Sequence, residues 1–161
     1  MAKNNLNIEN ARLIFKNFSG KEDKYNREGD RNFCVFVDDI DGVSVDDLLD
    51  EGWNVKTLRS RDPEDEDAHY IRVKVRYDNY PPKIYMVTGR NKILLDEENV
   101  GELDYADIES VDLIISPYHY NTNGNEGITA YCKTMYVTIM EDAFAHKYDH
   151  SADPVDEDNP F

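Results

Sequence analysis

Strand-length runs that alternate apolar with polar residues dominate this chain. A period of two leaves few choices besides a sheet with one buried face. Ala11 to Phe18, Asn32 to Val37, Trp53 to Leu58 and His69 to Tyr77 read as strands. Lys83 to Thr88, Lys92 to Leu95, Asp112 to Ser116 and Ile128 to Met140 follow, rich in β-branched and aromatic residues and bounded by Gly, Pro and Asn. Helical patterns are sparse. Ser44 to Glu51 is one, with Ser44 as N-cap and Gly52 as stop; Asp96 to Tyr105, acidic at its start, and Glu141 to Tyr148 are the others.

Seven or eight short strands with one to three short helices predict a mainly β domain. A small OB-like Greek-key β-barrel is the first choice, and no strand–helix alternation supports a doubly wound sheet. The 161 residues are one domain's worth and can bury a real core. The expected division is a domain over 1–148 and a flexible acidic tail over 149–161. No run is long and apolar enough for a membrane span, and Met1 to Asn5 shows no secretory signal. Cys34 and Cys132 make neither a CxxC nor a zinc spacing, so they are expected to be buried thiols in a reducing cytoplasm.

The formal net charge of −16 argues at first against a nucleic-acid partner, but the charge is unevenly distributed. Residues 69–92 carry six basic side chains and one acid, net +5; residues 93–161 carry two bases and sixteen acids, net −14. Such segregation predicts a basic site on an acidic body, the alternative being that the acids only maintain solubility.

The most informative stretch is His69 to Tyr77. Alternation puts Ile71, Val73, Val75 and Tyr77 on a core face and Tyr70, Arg72, Lys74 and Arg76 on the other. The cations are spaced about 6.6 Å apart, close to the phosphate spacing of an extended single strand. Edge protection by like charges would produce the same pattern. The neighbouring loops favour a binding role: Tyr80 and Lys83 flank Pro81-Pro82, Arg90 and Lys92 lie in the next turn, and Lys21, Lys24, Tyr25, Arg27 and Arg31 occupy the first loop. Cations interleaved with aromatic rings hold single-stranded nucleic acid without reading sequence, each stacked base contributing about 1–3 kcal/mol. Tyr25, Tyr70 and Tyr80 are the stacking candidates, whereas Trp53, opening a strand, reads better as core.

After Tyr148 the chain is acidic and poor in apolar groups, yet it ends in Phe161. A terminal ring beside the α-carboxylate suits a partner with an apolar pocket next to an Arg. Asp156-Glu157-Asp158-Asn159-Pro160-Phe161 resembles the acidic tip of bacterial single-stranded DNA-binding proteins, departing from it at Asn159, where an apolar residue is usual. The body resembles phage and prophage single-stranded DNA-binding proteins of the OB fold in Ile14-Phe15-Lys16-Asn17-Phe18, Arg31-Asn32-Phe33-Cys34-Val35, Gly52-Trp53-Asn54-Val55-Lys56 and Val111-Asp112-Leu113-Ile114-Ile115. That resemblance covers about residues 11–148. It implies a protein that coats single-stranded DNA in phage replication or recombination in the host cytoplasm. It also implies that Asp156, Glu157, Asp158, Pro160 and Phe161 recruit replication proteins while the tail competes with DNA for the basic groove.

No enzyme, cofactor or metal is expected. Asp38-Asp39-Ile40-Asp41-Gly42 has the wrong spacing for a calcium loop, and His146 and His150 lack a third ligand. Thr88 to Lys92 lacks the Gly-Lys-Ser/Thr ending of a phosphate loop, no nucleophile arrangement is recognisable, and Asp96-Glu97-Glu98 needs no metal to explain it. The competing readings are an acidic DNA mimic that inhibits a host nucleic-acid enzyme and a structural phage component that assembles through its sheet. The oligomeric state, monomer or homodimer, stays open.

Overall fold

The computed structural model describes residues 4–24, 26–78, 81–89 and 91–140. Among these, nine strands and one short α-helix form in the order β1 (Leu6–Ile8), β2 (Leu13–Asn17), β3 (Arg31–Phe36), α1 (Val45–Asp50), β4 (Val55–Leu58), β5 (Ala68–Val75), β6 (Lys83–Thr88), β7 (Asn91–Leu95), β8 (Ile108–Thr122) and β9 (Asn125–Ile139). A 3-10 turn over Val100–Asp104 precedes β8. Neighbouring strands run β1-β8-β9-β5-β3-β2. The two ends of that path, β1 and β2, are joined by only four residues, and the Ala11 amide donates to the Val111 carbonyl while the Phe36 amide donates to the Arg12 carbonyl. This short link ties the two ends of the sheet, and β5 and β6 both run parallel to β9 while the other strand pairs are antiparallel. This is the OB arrangement that the strand pattern predicts.

Alternation explains the core. Ile71, Val73 and Val75 of β5 face Val35, Phe33 and Arg31 of β3 in register, and the three β5 residues are at most 2% exposed. Phe18 stacks on Phe33 with ring centroids 5.2 Å apart, and both are fully buried. Trp53 is core, 3% exposed, with its indole N–H donating to Glu51. Ser44 caps α1 through a capping box with Asp47, whose carboxyl the Ser44 amide and hydroxyl hold below its ordinary value.

Three expectations need revision or lie elsewhere. Asp96 to Tyr105 is not an α-helix: the Asp96 carboxylate accepts from the Glu98 and Asn99 amides, and Asn99 accepts from the Asp96 amide. These side chains offer the backbone a turn instead of a helix. Glu141 to Tyr148 lies outside the described residues. The strand expected over Asp112 to Ser116 runs far longer, because β8 and β9 extend past the barrel as an arm closed by Asn123-Gly124. Both turn residues have positive φ, 52° and 85°, as a two-residue hairpin turn requires. Within the arm, Tyr120 lies over Gly127 and fills the space of its missing side chain.

Cys34 and Cys132 are free and buried. Burial pushes the Cys132 thiol and the Tyr77 hydroxyl up to about 12, from ordinary values of 9.0 and 10.0. Both groups are neutral when protonated, so their contribution to stability is intact below about pH 9 and is lost as pH rises toward 12. Denaturant midpoints should thus be level from pH 7 to 8.5 and fall from pH 9 upward; a flat profile to pH 11 would contradict the burial of these groups. No described helix is long and apolar enough to cross a membrane.

Candidate nucleic-acid interface

The outer face of β5 is where the cations converge. Arg72 and Lys74 point away from the core, and register sets their neighbours: Cys34 and Asn32 on β3, with Tyr131 of β9 beside Lys74. Tyr70 lies opposite Phe36 on β3 and Lys56 on β4. Where β5 ends, β6 takes its place along β9: Val73 and Lys74 pair with Ala130 and Tyr131, then Lys83 to Val87 pair with Thr134 to Thr138. Arg72, Lys74, Arg76 and Lys83 therefore follow one another along a single edge of β9.

A cleft of about 720 Å³ opens at the Tyr70 end, lined by Phe15, Lys21, Lys56, Tyr70, Arg72 and Tyr105, with Cys34 in its wall. Phe15 owes its place to a bulge. The β2–β3 register shifts between Ile14 and Asn17, and Phe15 adopts φ +54° with 57% of its surface exposed. A bulky residue in that region is strained, and such strain persists where surrounding structure holds it. Its ring meets Tyr70 edge-on at 6.0 Å.

The loop between β2 and β3 borders the same cleft and is tied down from within. The Asn26 side-chain amide lies 2.8–3.0 Å from the carbonyls of Lys21, Arg27 and Asp30, and its oxygen accepts from Asn32 at 2.9 Å and from Arg72 at 3.4 Å. Gly20 closes against Gly29 at φ +73°, where an added Cβ would lie 3.2 Å from Gly29 backbone. Asp104 also lines the cleft, but its carboxylate accepts from the Phe18 and Ser19 amides and the Ser19 hydroxyl, at 2.7–3.0 Å. Lys21 donates to the Tyr105 hydroxyl, which raises its pKa, and sits 4.9 Å from that ring's centroid. Glu22 and Asp23 face the cleft as well.

At the other end of the row a broader cleft of about 1080 Å³ is lined by Arg76, Lys83, Tyr118, Tyr131 and Lys133, among others. Tyr118, 59% exposed, meets Tyr131 edge-on at 6.1 Å. Arg76 pairs with Asp78 through two hydrogen bonds of 2.6 and 3.2 Å, which hold the guanidinium above its ordinary pKa. The face between the clefts is bordered by the β2–β3 loop on one side and the β8–β9 arm on the other. In OB folds this face and these loops bind oligonucleotides.

A family model described as "Putative phage ssDNA-binding domain" matches residues 1–159. The chain belongs to this family. No curated protein matches it. Among solved structures, this phage domain is similar to the single-stranded DNA-binding protein of bacteriophage Enc34, at 14% identity and TM-score 0.55 over 93% of this chain and 89% of that one. The same phage protein truncated at its C-terminus gives 12% and 0.56, covering 86% and 87%. Its complex with ssDNA gives 13% and 0.57, covering 88% and 89%. At such identities the likeness concerns the fold.

Of the cations expected from sequence, the domain brings Lys21, Arg72, Lys74, Arg76 and Lys83 to the face just described, along with Tyr70. Lys92 lies farther along, on β7. Arg31 goes elsewhere: opposite Val75, it turns to the barrel rim, 17% exposed, stacks over Tyr77 at 5.9 Å and reaches Glu97 at 3.4 Å. Lys24 and Arg27 are exposed on the loop but do not line the cleft. Tyr25, Tyr80, Arg90 and the tail residues Asp156, Glu157, Asp158, Pro160 and Phe161 lie outside the described residues. Phe15, Lys56, Tyr105, Tyr118, Tyr131 and Lys133 also line the two clefts, though their sequence context does not single them out as binding residues. Lys56 sits in a strand whose sequence, Val55-Lys56-Thr57-Leu58, does not alternate and so gives no signal, and the Asn123-Gly124 turn sets Tyr118 opposite Thr129, with Tyr131 as its diagonal neighbour. Among the described residues no group of three or more His, Cys, Asp or Glu is placed to hold a metal ion.

Proposed function

We propose that this phage single-stranded DNA-binding domain holds its DNA across the outer face of β5 and along β9, without reading base sequence. The observation that carries this reading is the file of Arg72, Lys74, Arg76 and Lys83 joining two clefts that each offer aromatic rings. Phosphates would pair with the file while bases stack on Phe15 and Tyr70 at one end and on Tyr118 and Tyr131 at the other. Stacking suits any base, because every base has a π-face. The bacteriophage Enc34 protein, similar in fold, has been solved in complex with ssDNA. The net charge of −16 does not oppose this, since binding depends on the local field, and the acids outside the face discourage off-site contacts. An acidic DNA mimic would have no use for such a file.

In this reading the domain coats and protects single strands during phage replication or recombination in the host cytoplasm. The tip Asp156-Glu157-Asp158-Asn159-Pro160-Phe161 docks replication or recombination proteins, and the acidic tail competes with DNA for the face. Fluorescence anisotropy with labelled oligo-dT tests both parts. The full chain binds in the micromolar range or tighter, and removal of residues 149–161 tightens binding most at low salt, where polyanion competition is strongest. Absence of binding with and without the tail would favour the DNA mimic instead.

A further inference from the structure

The row of outward side chains does not stop at the second cleft. Tyr85 of β6 pairs in register with Tyr136 of β9, and their rings stack at 5.0 Å with planes 13° apart. The Lys92 ammonium on β7 lies 4.8 Å from the Tyr85 centroid and 5.7 Å from that of Tyr136. Leu94, opposite Tyr85 on β7, is 55% exposed, and Tyr136 is 37% exposed. Two stacked rings, a cation and an open leucine on one surface form an aromatic platform with a phosphate-sized charge beside it, and exposed apolar patches of this kind mark binding sites. On its far side the platform is bounded by Asp112, which opposes Tyr136 on β8 and accepts from the Asn10 amide. The approach is therefore from the β5–β6 side, the side on which Lys83 lies.

We propose that Tyr85, Tyr136 and Lys92 form a third base-stacking station for single-stranded DNA, reached from the first cleft only by strands long enough to run past the second. This rests on the function proposed above and fixes the extent and direction of its site. Ala130 marks the β5 crossing and Tyr136 the platform, so with Arg72 one residue before Val73 the platform stands about seven β9 residues, or roughly 23 Å, from the first cleft. Lys74, Arg76 and Lys83 fill the interval. At about 6.6 Å per nucleotide of extended strand, that span takes about four nucleotides, the lower end of the range of about 4–16 that one OB fold covers. A strand of about two or three nucleotides held in the first cleft cannot reach Tyr136.

The test compares oligo-dT of about three and about fifteen nucleotides, one too short for that interval and one well beyond it. Y85S/Y136S lowers affinity for the longer strand about tenfold and leaves the shorter within about twofold, as expected for loss of stacking at a distal point. Y85F/Y136F keeps the rings and keeps the affinity for both, which separates stacking from a folding defect. Equal losses on both lengths, or none on the longer, overturn the third station while the two clefts stand. Failure of the unaltered chain to bind either strand overturns the station together with the reading beneath it.

Discussion

Reversing Arg72, Lys74 and Arg76 to Glu abolishes binding of labelled oligo-dT and leaves the thermal midpoint within about 5 °C of the unaltered domain. The three side chains are exposed and outward-facing, and none reaches the core. A hydrogen bond to a charged partner contributes about 1.5–3 kcal/mol, so losing three amounts to a thousandfold or more even before the new repulsion is counted. The salt dependence adds a second readout. Each phosphate contact to a single strand contributes a slope of about −0.7 in log K against log salt, so the milder R72A/K74A/R76A variant, still weakly bound, flattens the slope by about 2. Folding is spared because Arg72 gives up only a 3.4 Å bond to Asn26, whose other bonds keep the loop in place. Arg76 gives up a pair with Asp78 in which both side chains are more than half exposed, and such pairs contribute little to stability. A variant that still binds with an unchanged slope would remove this face from consideration.

The portion of the fold that could be read in advance was the portion obeying strict alternation. In β5 every second residue from Ile71 to Val75 is buried and every intervening one exposed, because two neighbouring strands fix its register and one face closes on the barrel interior. Phe15 shows where the rule gives out. Alternation from Ala11 and Leu13 would carry it inward, but the bulge between Ile14 and Asn17 inserts a residue and resets the phase, so Phe18 is buried and Phe15 stands in the cleft. Nothing in the local composition announces a bulge without a glycine. Arg31 fails for the opposite reason. It belongs to a charged loop by composition but to β3 by hydrogen bonding, and strand register outranks charge in deciding where it points. The β8–β9 arm was obscured because both of its faces are polar or aromatic toward the tip, which removes the periodic signal and leaves only Asn123-Gly124 to mark the turn. The platform of Tyr85 and Tyr136 joins residues far apart in sequence through a parallel pairing, and parallel pairs leave no turn signature at all.

One residue along the same strand the expected outcome inverts. Val73→Glu unfolds the domain, whereas Arg72→Glu beside it weakens only DNA binding. Val73 is fully buried, opposite Phe33 on β3 and alongside Ala130 on β9. All three are apolar, so a carboxylate there finds no partner in its register. An unpaired buried charge costs several kcal/mol, a large share of the roughly 5–15 kcal/mol that holds a domain of this size together. The carboxyl can escape by taking up a proton, yet it then still lacks a hydrogen-bond partner and overfills the space of a valine. Circular dichroism of Val73→Glu should show loss of the cooperative melt, or a midpoint lowered by about 10 °C or more, and the far milder Val73→Thr should fall between it and the unaltered chain. The contrast between adjacent positions isolates the face assignment from every other feature of the molecule. Comparable damage from both substitutions would mean that β5 does not present one side to the core and the other to DNA, and the file of cations along β9 would lose its meaning.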